Sequence, residues 1–239
     1  MPAYAGRRRR RWRARGSHVR LQPEMKILLF GATGSAGGSV LRVCLAAPGV
    51  EEVRAIVRRP LKPHGKLRAF VHADFLDYAP VAEAFAGVDA CLYCLGISAT
   101  QVSGEAEYRT ITHDFAMAAA GMLKAHSPGA VFHFISGQGA GLDSRFMWAR
   151  VKAETERDLT GLIDAVCWRP AFIDGDNSEN APRIYQALRP VFRVLSPFRS
   201  FYVTGEDIGR AMLKATAENV RGRTIGNAEI RRIADSAKL

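Results

Sequence analysis

Gly31-Ala32-Thr33-Gly34-Ser35-Ala36-Gly37 lies between a continuous apolar run, Lys26–Phe30, and a segment with apolar residues at helical spacing, Ser35–Leu45. A strand that turns through glycines into a helix presents backbone N–H groups to an anion. The first glycine permits the tight turn, the second lets backbone approach a pyrophosphate, and the third lets helix pack close to strand. The helix amino terminus then meets the phosphates with free N–H groups and the positive end of its dipole. Gly31, Thr33, Gly34, Ser35, Ala36 and Gly37 are therefore the expected contacts of a dinucleotide. The flanking strand and helix, not the glycines alone, carry that reading.

Other groupings are poorer in chemistry. Cys91 and Cys94 have the spacing of a redox or metal pair, but they lie inside the apolar run Ala-Cys-Leu-Tyr-Cys-Leu. In a strand, residues three apart point to opposite faces, so the two thiols read as separate structural cysteines of a reducing compartment. The histidines are scattered, with no pair at i, i+4, and no metal site is expected. Arg183, Arg189, Arg193 and Arg199 alternate with apolar residues and read as a solvated basic face, with an anionic substrate as the alternative.

The elements that must position the turn follow a β–α rhythm. Strands are expected at Lys26–Phe30, Val53–Val57, Arg68–His72, Ala90–Leu95, Val131–Ile135 and Asp164–Trp168. Helices are expected at Ser35–Leu45, Val81–Phe85, Glu107–Ala125, Arg145–Leu159 and Gly205–Ala217, the last running into an Asn219–Gly222 turn. Between them, Asp174–Asn180 reads as a polar loop and Ala181–Val194 as a helix interrupted by Pro190. The alternation predicts an α/β, Rossmann-type doubly wound parallel sheet, with a small C-terminal substrate-cap region. Residues 25–239 read as one domain.

The net charge of +11 on 239 residues suggests nucleic acid until it is located. Most of it sits in Arg7–Arg11, Arg13, Arg15 and Arg20. Residues 1–24 are too charged and too poor in apolar residues to pack, and are expected to form a disordered arm. Three readings of the arm stay open: a tail ahead of a natural start at Met25, a nucleic-acid tether, or a targeting segment, although it has no amphipathic apolar face. The body is then only mildly basic. Nucleic acid is not the expected partner, and no run is long and apolar enough to cross a bilayer. A cytoplasmic location is expected.

The Gly-x-x-Gly-x-x-Gly spacing, with the strand–turn–helix around it, resembles the extended and atypical branches of the short-chain dehydrogenase/reductase superfamily. The stretches CLGISATQVSGEAEY, MWARVKAETE and NAEIRRIA look like a bacterial group named after NAD-dependent epimerase/dehydratases. The resemblance spans roughly Met25 to Ala217. At the end of the second strand an NAD site usually has an acid for the ribose 2′-hydroxyl; here Arg58 and Arg59 suit a 2′-phosphate through charge and forked hydrogen bonds. NADP(H) is thus the expected cofactor, with NAD(H) as the alternative. The resemblance places Asp74 beside the adenine ring, Leu95 and Gly96 along the cofactor, and Pro170 in the segment flanking the nicotinamide.

The resemblance also implies a catalytic set: a serine at the end of the fifth strand and Tyr-x-x-x-Lys on the next helix. Ser136 and Lys152 match, Lys152 also as a ligand of the nicotinamide ribose. The tyrosine position is Trp148, whose indole N–H cannot exchange a proton at neutral pH. Tyr108, His113, Tyr202 or a water could supply the proton instead. Two functions follow: an NADP(H)-dependent oxidoreductase or epimerase acting on a small carbonyl or hydroxyl compound, or a non-catalytic NADP(H) sensor. Substrate and oligomeric state are not legible in these residues.

Overall fold

A computed structural model describes residues 24–175 and 200–237. The chain runs β1 (Met25–Phe30), α1 (Ser35–Ala46), β2 (Val50–Val57), β3 (Leu67–Val71), a 3₁₀ turn at Ala79–Phe85 and β4 (Ala90–Tyr93). It continues through α2 (Glu105–Arg109), a π-helical turn at Thr110–Asp114, α3 (Phe115–His126), β5 (Val131–Ile135), α4 (Met147–Leu162), β6 (Ala165–Arg169) and β7 (Phe172–Asp174). The remaining elements are β8 (Tyr202–Thr204), α5 (Gly205–Ala217), β9 (Arg223–Gly226) and α6 (Asn227–Ser236). The arginine arm up to residue 23, the expected helix Ala181–Val194 and the four arginines Arg183 to Arg199 lie outside the described residues.

Seven strands form one sheet in the order β3-β2-β1-β4-β5-β6-β9, and each pairing in it is parallel. The Rossmann-type α/β fold expected from the alternation is the fold observed. Both faces of the sheet are covered, which is why its strands read as continuous apolar runs. Ile27, Leu29, Val166 and Trp168 face α1, α5 and α6. Leu28, Phe30, Cys91 and Cys167 face the 3₁₀ turn, α3 and α4. Cys91 and Cys94 do fall on opposite faces, Cys94 packing against the first of these cores.

Some boundaries differ from the sequence expectation for local reasons. The helix expected at Glu107–Ala125 is a run from Glu105 to His126 whose middle widens into the π turn. The fourth strand stops at Tyr93, because the chain leaves the sheet there to pass the glycine turn. The next helix begins at Met147, after a turn in which the Ser144 hydroxyl accepts from the Phe146 N–H at 3.2 Å. β7, β8, β9 and α6 were not foreseen. A separate parallel pair joins β7 to β8.

One polar network crosses the core. His133 on β5 is fully buried. Its Nδ1 accepts from Trp168 Nε1 at 3.0 Å and its Nε2 faces Thr216 Oγ1 at 3.0 Å. Because Trp168 can only donate, the neutral tautomer with hydrogen on Nε2 satisfies both partners. Burial pushes the imidazole down to about 3 from its ordinary 6.5. The unfolded chain therefore binds a proton below pH 6.5 that the folded chain refuses, and stability contributed above pH 6.5 is lost as pH falls toward 3. Replacing His133 with Leu is expected to lower stability at pH 7, since Trp168 Nε1 loses its acceptor. The same change should shrink the stability difference between pH 7 and pH 5 by about 2 kcal/mol. Urea unfolding at the two pH values measures both effects, and an undiminished acid dependence in H133L would locate it in other groups.

Candidate functional site

The sheet order reverses between β1 and β4, so the chain leaving β1 and the chain leaving β4 diverge and open a crevice at the carboxyl ends of the strands. The glycine turn fills one lip. Gly31 has φ +75°, in the left-handed region, and a Cβ there would lie 2.5 Å from the Cys94 carbonyl oxygen. Turn and β4 thus touch through bare backbone, which brings Leu95 and Gly96 alongside. A Cβ on Gly37 would lie 2.1 Å from the Gly31 carbonyl oxygen. The Gly34 N–H donates to the same carbonyl at 2.8 Å, closing the turn.

This packing aims α1 at the crevice. Gly34 is the N-cap and supplies no side-chain cap, and the first turn of α1 carries no acidic residue. The N–H groups opening α1, at Ser35, Ala36 and Gly37, are left for an external acceptor, as a pyrophosphate requires. The chain beyond β7 closes in from the far side: Gly175 packs so tightly that a Cβ would lie 2.2 Å from the Ser35 carbonyl oxygen.

Parallel pairing aligns Ile56 of β2 with Phe30 of β1, so Arg58 and Arg59 leave the sheet level with the glycine turn. Both are exposed, and among the described residues neither has an ion-pair partner. Asp74 is exposed in a tight turn after β3, its Oδ1 accepting from the Leu76 N–H at 2.9 Å. That bond gives Asp74 a local structural role beside any contact with a base.

The opposite lip is built from the ends of β5 and β6 and the start of α4. Lys152 Nζ donates to the Ser136 carbonyl at 2.5 Å and more weakly to that of Ile135 at 3.5 Å. Burial pushes its ammonium down to about 8, against the opposing charge of Glu156 one turn along α4. Ser136 is 2% exposed, and among the described residues its Oγ has no hydrogen-bond partner. An orphaned buried hydroxyl is uncommon in a folded chain and marks a place where a ligand's polar atom can be accommodated. The Trp148 ring lies over the same loop: a Cβ on Gly137 would be 3.4 Å from Trp148 Cζ3, and one on Gly139 3.7 Å from Cη2.

Three contacts brace this lip. Arg169 grips Glu156 in a forked pair at 2.9 and 2.5 Å, joining β6 to α4. The Pro170 carbonyl accepts from the Gln138 N–H at 2.8 Å, tying the loops after β5 and β6 together. Asn227 at the start of α6 accepts from the Ala171 N–H at 2.8 Å and donates to the Tyr202 carbonyl at 3.1 Å. Neither the Arg169–Glu156 pair nor Asn227 was foreseen; the stretch NAEIRRIA drew notice as a whole without marking its first residue.

The alternative proton donors are occupied. Tyr202 donates to Asp174 Oδ2 at 2.7 Å. Both His113 ring nitrogens are engaged, at 2.7 Å to Asp114 and 2.9 Å to Asp158. Tyr108 is 2% exposed, and burial raises its phenol above the ordinary value.

Known proteins share the family and the fold. Residues 31–159 match the model of a family described as NAD(P)H-binding. The mitochondrial protein fmp52 of Emericella nidulans is 27% identical over 219 residues, covering 85% of this chain and 92% of that protein. FMP52 of Saccharomyces cerevisiae, also named mitochondrial, is 30% identical over 140 residues, covering 58% and 60%. A solved oxidoreductase of the short-chain dehydrogenase/reductase family from Burkholderia thailandensis has the same fold, with a TM-score of 0.65 at 14% identity over 87% of this chain and 92% of that one. The family match bears out the dinucleotide-binding reading of the glycine turn, and the solved structure shares the expected fold. The cytoplasmic expectation does not: these curated relatives are named as mitochondrial proteins, and the absence of a membrane-spanning run carried no information about compartment.

Two glycines test the architecture. Gly37→Ala places a methyl against backbone that cannot move without opening the turn, and is expected to weaken dinucleotide binding at least tenfold. Gly175→Ala should do the same through the start of α1, although it lies far from the glycine motif. Calorimetric titration with NADPH measures both, with circular dichroism confirming that each variant is folded; unaltered affinity in folded G175A would show that this crossing does not shape the cofactor lip.

Proposed function

This chain belongs to the NAD(P)H-binding family, and we propose that within it the protein is an NADP(H)-dependent oxidoreductase acting on a small carbonyl or hydroxyl compound. The observation that carries this reading is the convergence of Ser136 and Lys152 on one lip of the crevice whose other lip is the glycine turn. In this reading the uncapped start of α1 receives the pyrophosphate, Arg58 and Arg59 receive the 2′-phosphate, and Lys152 stands beside Ser136 on the opposite lip. A bound nicotinamide supplies hydride chemistry. Ser136 Oγ orients the substrate oxygen, and Trp148 walls the pocket with an apolar ring that excludes water.

A preference for NADP(H) follows from charge. Two guanidinium groups with no carboxylate partner among the described residues gain charge-assisted hydrogen bonds from a phosphate, each worth about 1.5–3 kcal/mol, and gain little from a bare hydroxyl. A second reading, a dinucleotide sensor without turnover, is favoured by one observation: Trp148 replaces the residue that would exchange the proton. The epimerase variant of the first reading shares the same groups and differs only in substrate.

The double variant Arg58→Ala/Arg59→Ala is expected to raise the Kd for NADPH by roughly 10–100-fold while leaving NADH within about twofold. Quenching of tryptophan fluorescence reads both affinities, and an equal loss for the two cofactors would remove the NADP(H) assignment. NADPH oxidation against a panel of aldehydes and quinones separates the two readings. Tight binding with turnover gained only in Trp148→Tyr would favour the sensor.

A further inference from the structure

We propose that Lys152 is itself the proton donor of this site, exchanging a proton directly with the substrate oxygen. The proposal rests on the oxidoreductase reading and names the acid that reading requires. Its first support is that the indole carries no usable proton and that two of the alternative donors are engaged elsewhere. Trp148 has no exchangeable proton at neutral pH. Tyr202 is committed to Asp174, and both ring nitrogens of His113 are committed to carboxylates.

The second support is the direction of the amine. Lys152 carries three N–H donors. Two are turned onto the carbonyls of Ser136 and Ile135, which leaves the third for a ligand. The orphaned Ser136 Oγ belongs to the residue whose carbonyl anchors that amine. A single substrate oxygen bonded to both groups would satisfy the buried hydroxyl and the remaining N–H together. The indole edge and the amine converge on one glycine: a Cβ on Gly137 would lie 3.4 Å from Trp148 Cζ3 and 3.7 Å from Lys152 Nζ. The ring thus walls the amine and sustains the burial that lowers its proton affinity.

Among the described residues, Glu156 is the charge that acts on the amine. Glu156 on α4 opposes the downward shift, and Arg169 from β6 holds its carboxylate in a forked pair. β6 also contributes Cys167, whose thiol burial pushes up to about 12, so it stays neutral. β5 contributes backbone carbonyls and the neutral Ser136 hydroxyl. The helix packed on α4 contributes Tyr108, kept protonated by burial. An ammonium at about 8 is matched to proton exchange near neutral pH.

In the reducing direction a bound reduced nicotinamide dinucleotide would supply hydride to the carbonyl carbon, and the carbon–oxygen π electrons would pass to oxygen. The oxygen then takes a proton from Nζ. The products are the alcohol, the oxidised dinucleotide and a neutral amine, which is reprotonated by water. Reduction needs the ammonium form, so kcat/KM for reduction should fall as pH rises through about 8, and the oxidative direction should rise over the same range.

Competitive labelling of the ligand-free wild-type protein with acetic anhydride, read by mass spectrometry, gives the titration of Lys152 directly. A midpoint near pH 8, well below that of the same residue in the urea-unfolded chain, is expected. A midpoint equal to that of the unfolded chain overturns the proposal. Lys152→Arg keeps a cation on this lip but cannot release a proton at neutral pH. It should bind NADPH within about threefold of wild type and lose roughly 100-fold or more in kcat/KM toward the probes 4-nitrobenzaldehyde and phenanthrenequinone. Turnover retained in K152R, or a wild-type rate with no ionisation near 8, overturns the proton donor and leaves the oxidoreductase reading standing. NADPH binding without turnover of any carbonyl by the wild type removes that reading, and the donor with it.

Discussion

The contact on which the rest of this structure depends is backbone against backbone, where Gly31 meets the Cys94–Leu95 peptide. No side chain fits between them. Because they touch, the turn after β1 and the exit from β4 cannot drift apart, and the crevice between them has fixed walls. The same contact sets the axis of α1, and with it the direction in which the uncapped N–H groups point. Gly37 against the Gly31 carbonyl fixes the depth of the helix, and Gly175 fixes its first residue from the other side. A phosphate site of this kind depends less on side chains than on their absence.

The opposite lip is held by side chains. A half-buried lysine is costly unless its donors find acceptors, and here two of them face carbonyls at the end of β5 rather than a carboxylate. That arrangement leaves the amine ionisable near neutrality, where a tight ion pair would have kept it charged. The nearby carboxylate, Glu156, is turned to Arg169 instead. The pair therefore does two things: it fastens α4 to β6, and it keeps Glu156 from compensating Lys152 fully. Asn227 completes the frame by reaching from α6 to the chain after Pro170 and to β8, so α6 helps to hold the segment that follows β6.

Much of this was readable in the chain and some was not. β1, β4 and β5 announce themselves because both sheet faces are buried around them and each is largely a run of apolar residues, whereas the edge strand β3, Leu67–Val71, is mostly exposed and its pattern is weaker. β7, β8 and β9 do not, since three or four residues such as Tyr202–Thr204 carry too little pattern to separate a strand from a loop. The π turn at Thr110–Asp114 leaves no mark either, because the apolar spacing continues across it. His133 reads as an ordinary strand residue. Only its position between Trp168 and Thr216 makes it a neutral, buried link through the core.

The sequence by itself determined the glycine turn, the two arginines after β2, the lysine one helical turn beyond residue 148, and the tryptophan at that position. Each is a local pattern whose physics acts within a few residues: a positive φ, an exposed helix end, a spacing of four, an indole without a labile proton. Tertiary structure alone decided that Ser136 Oγ is buried without a partner, that Tyr202 and His113 are occupied, and that the Lys152 amine rests on carbonyls under an aromatic edge. Those facts depend on residues far apart in the chain meeting in a low-dielectric interior. No window of sequence contains the neighbours that set them.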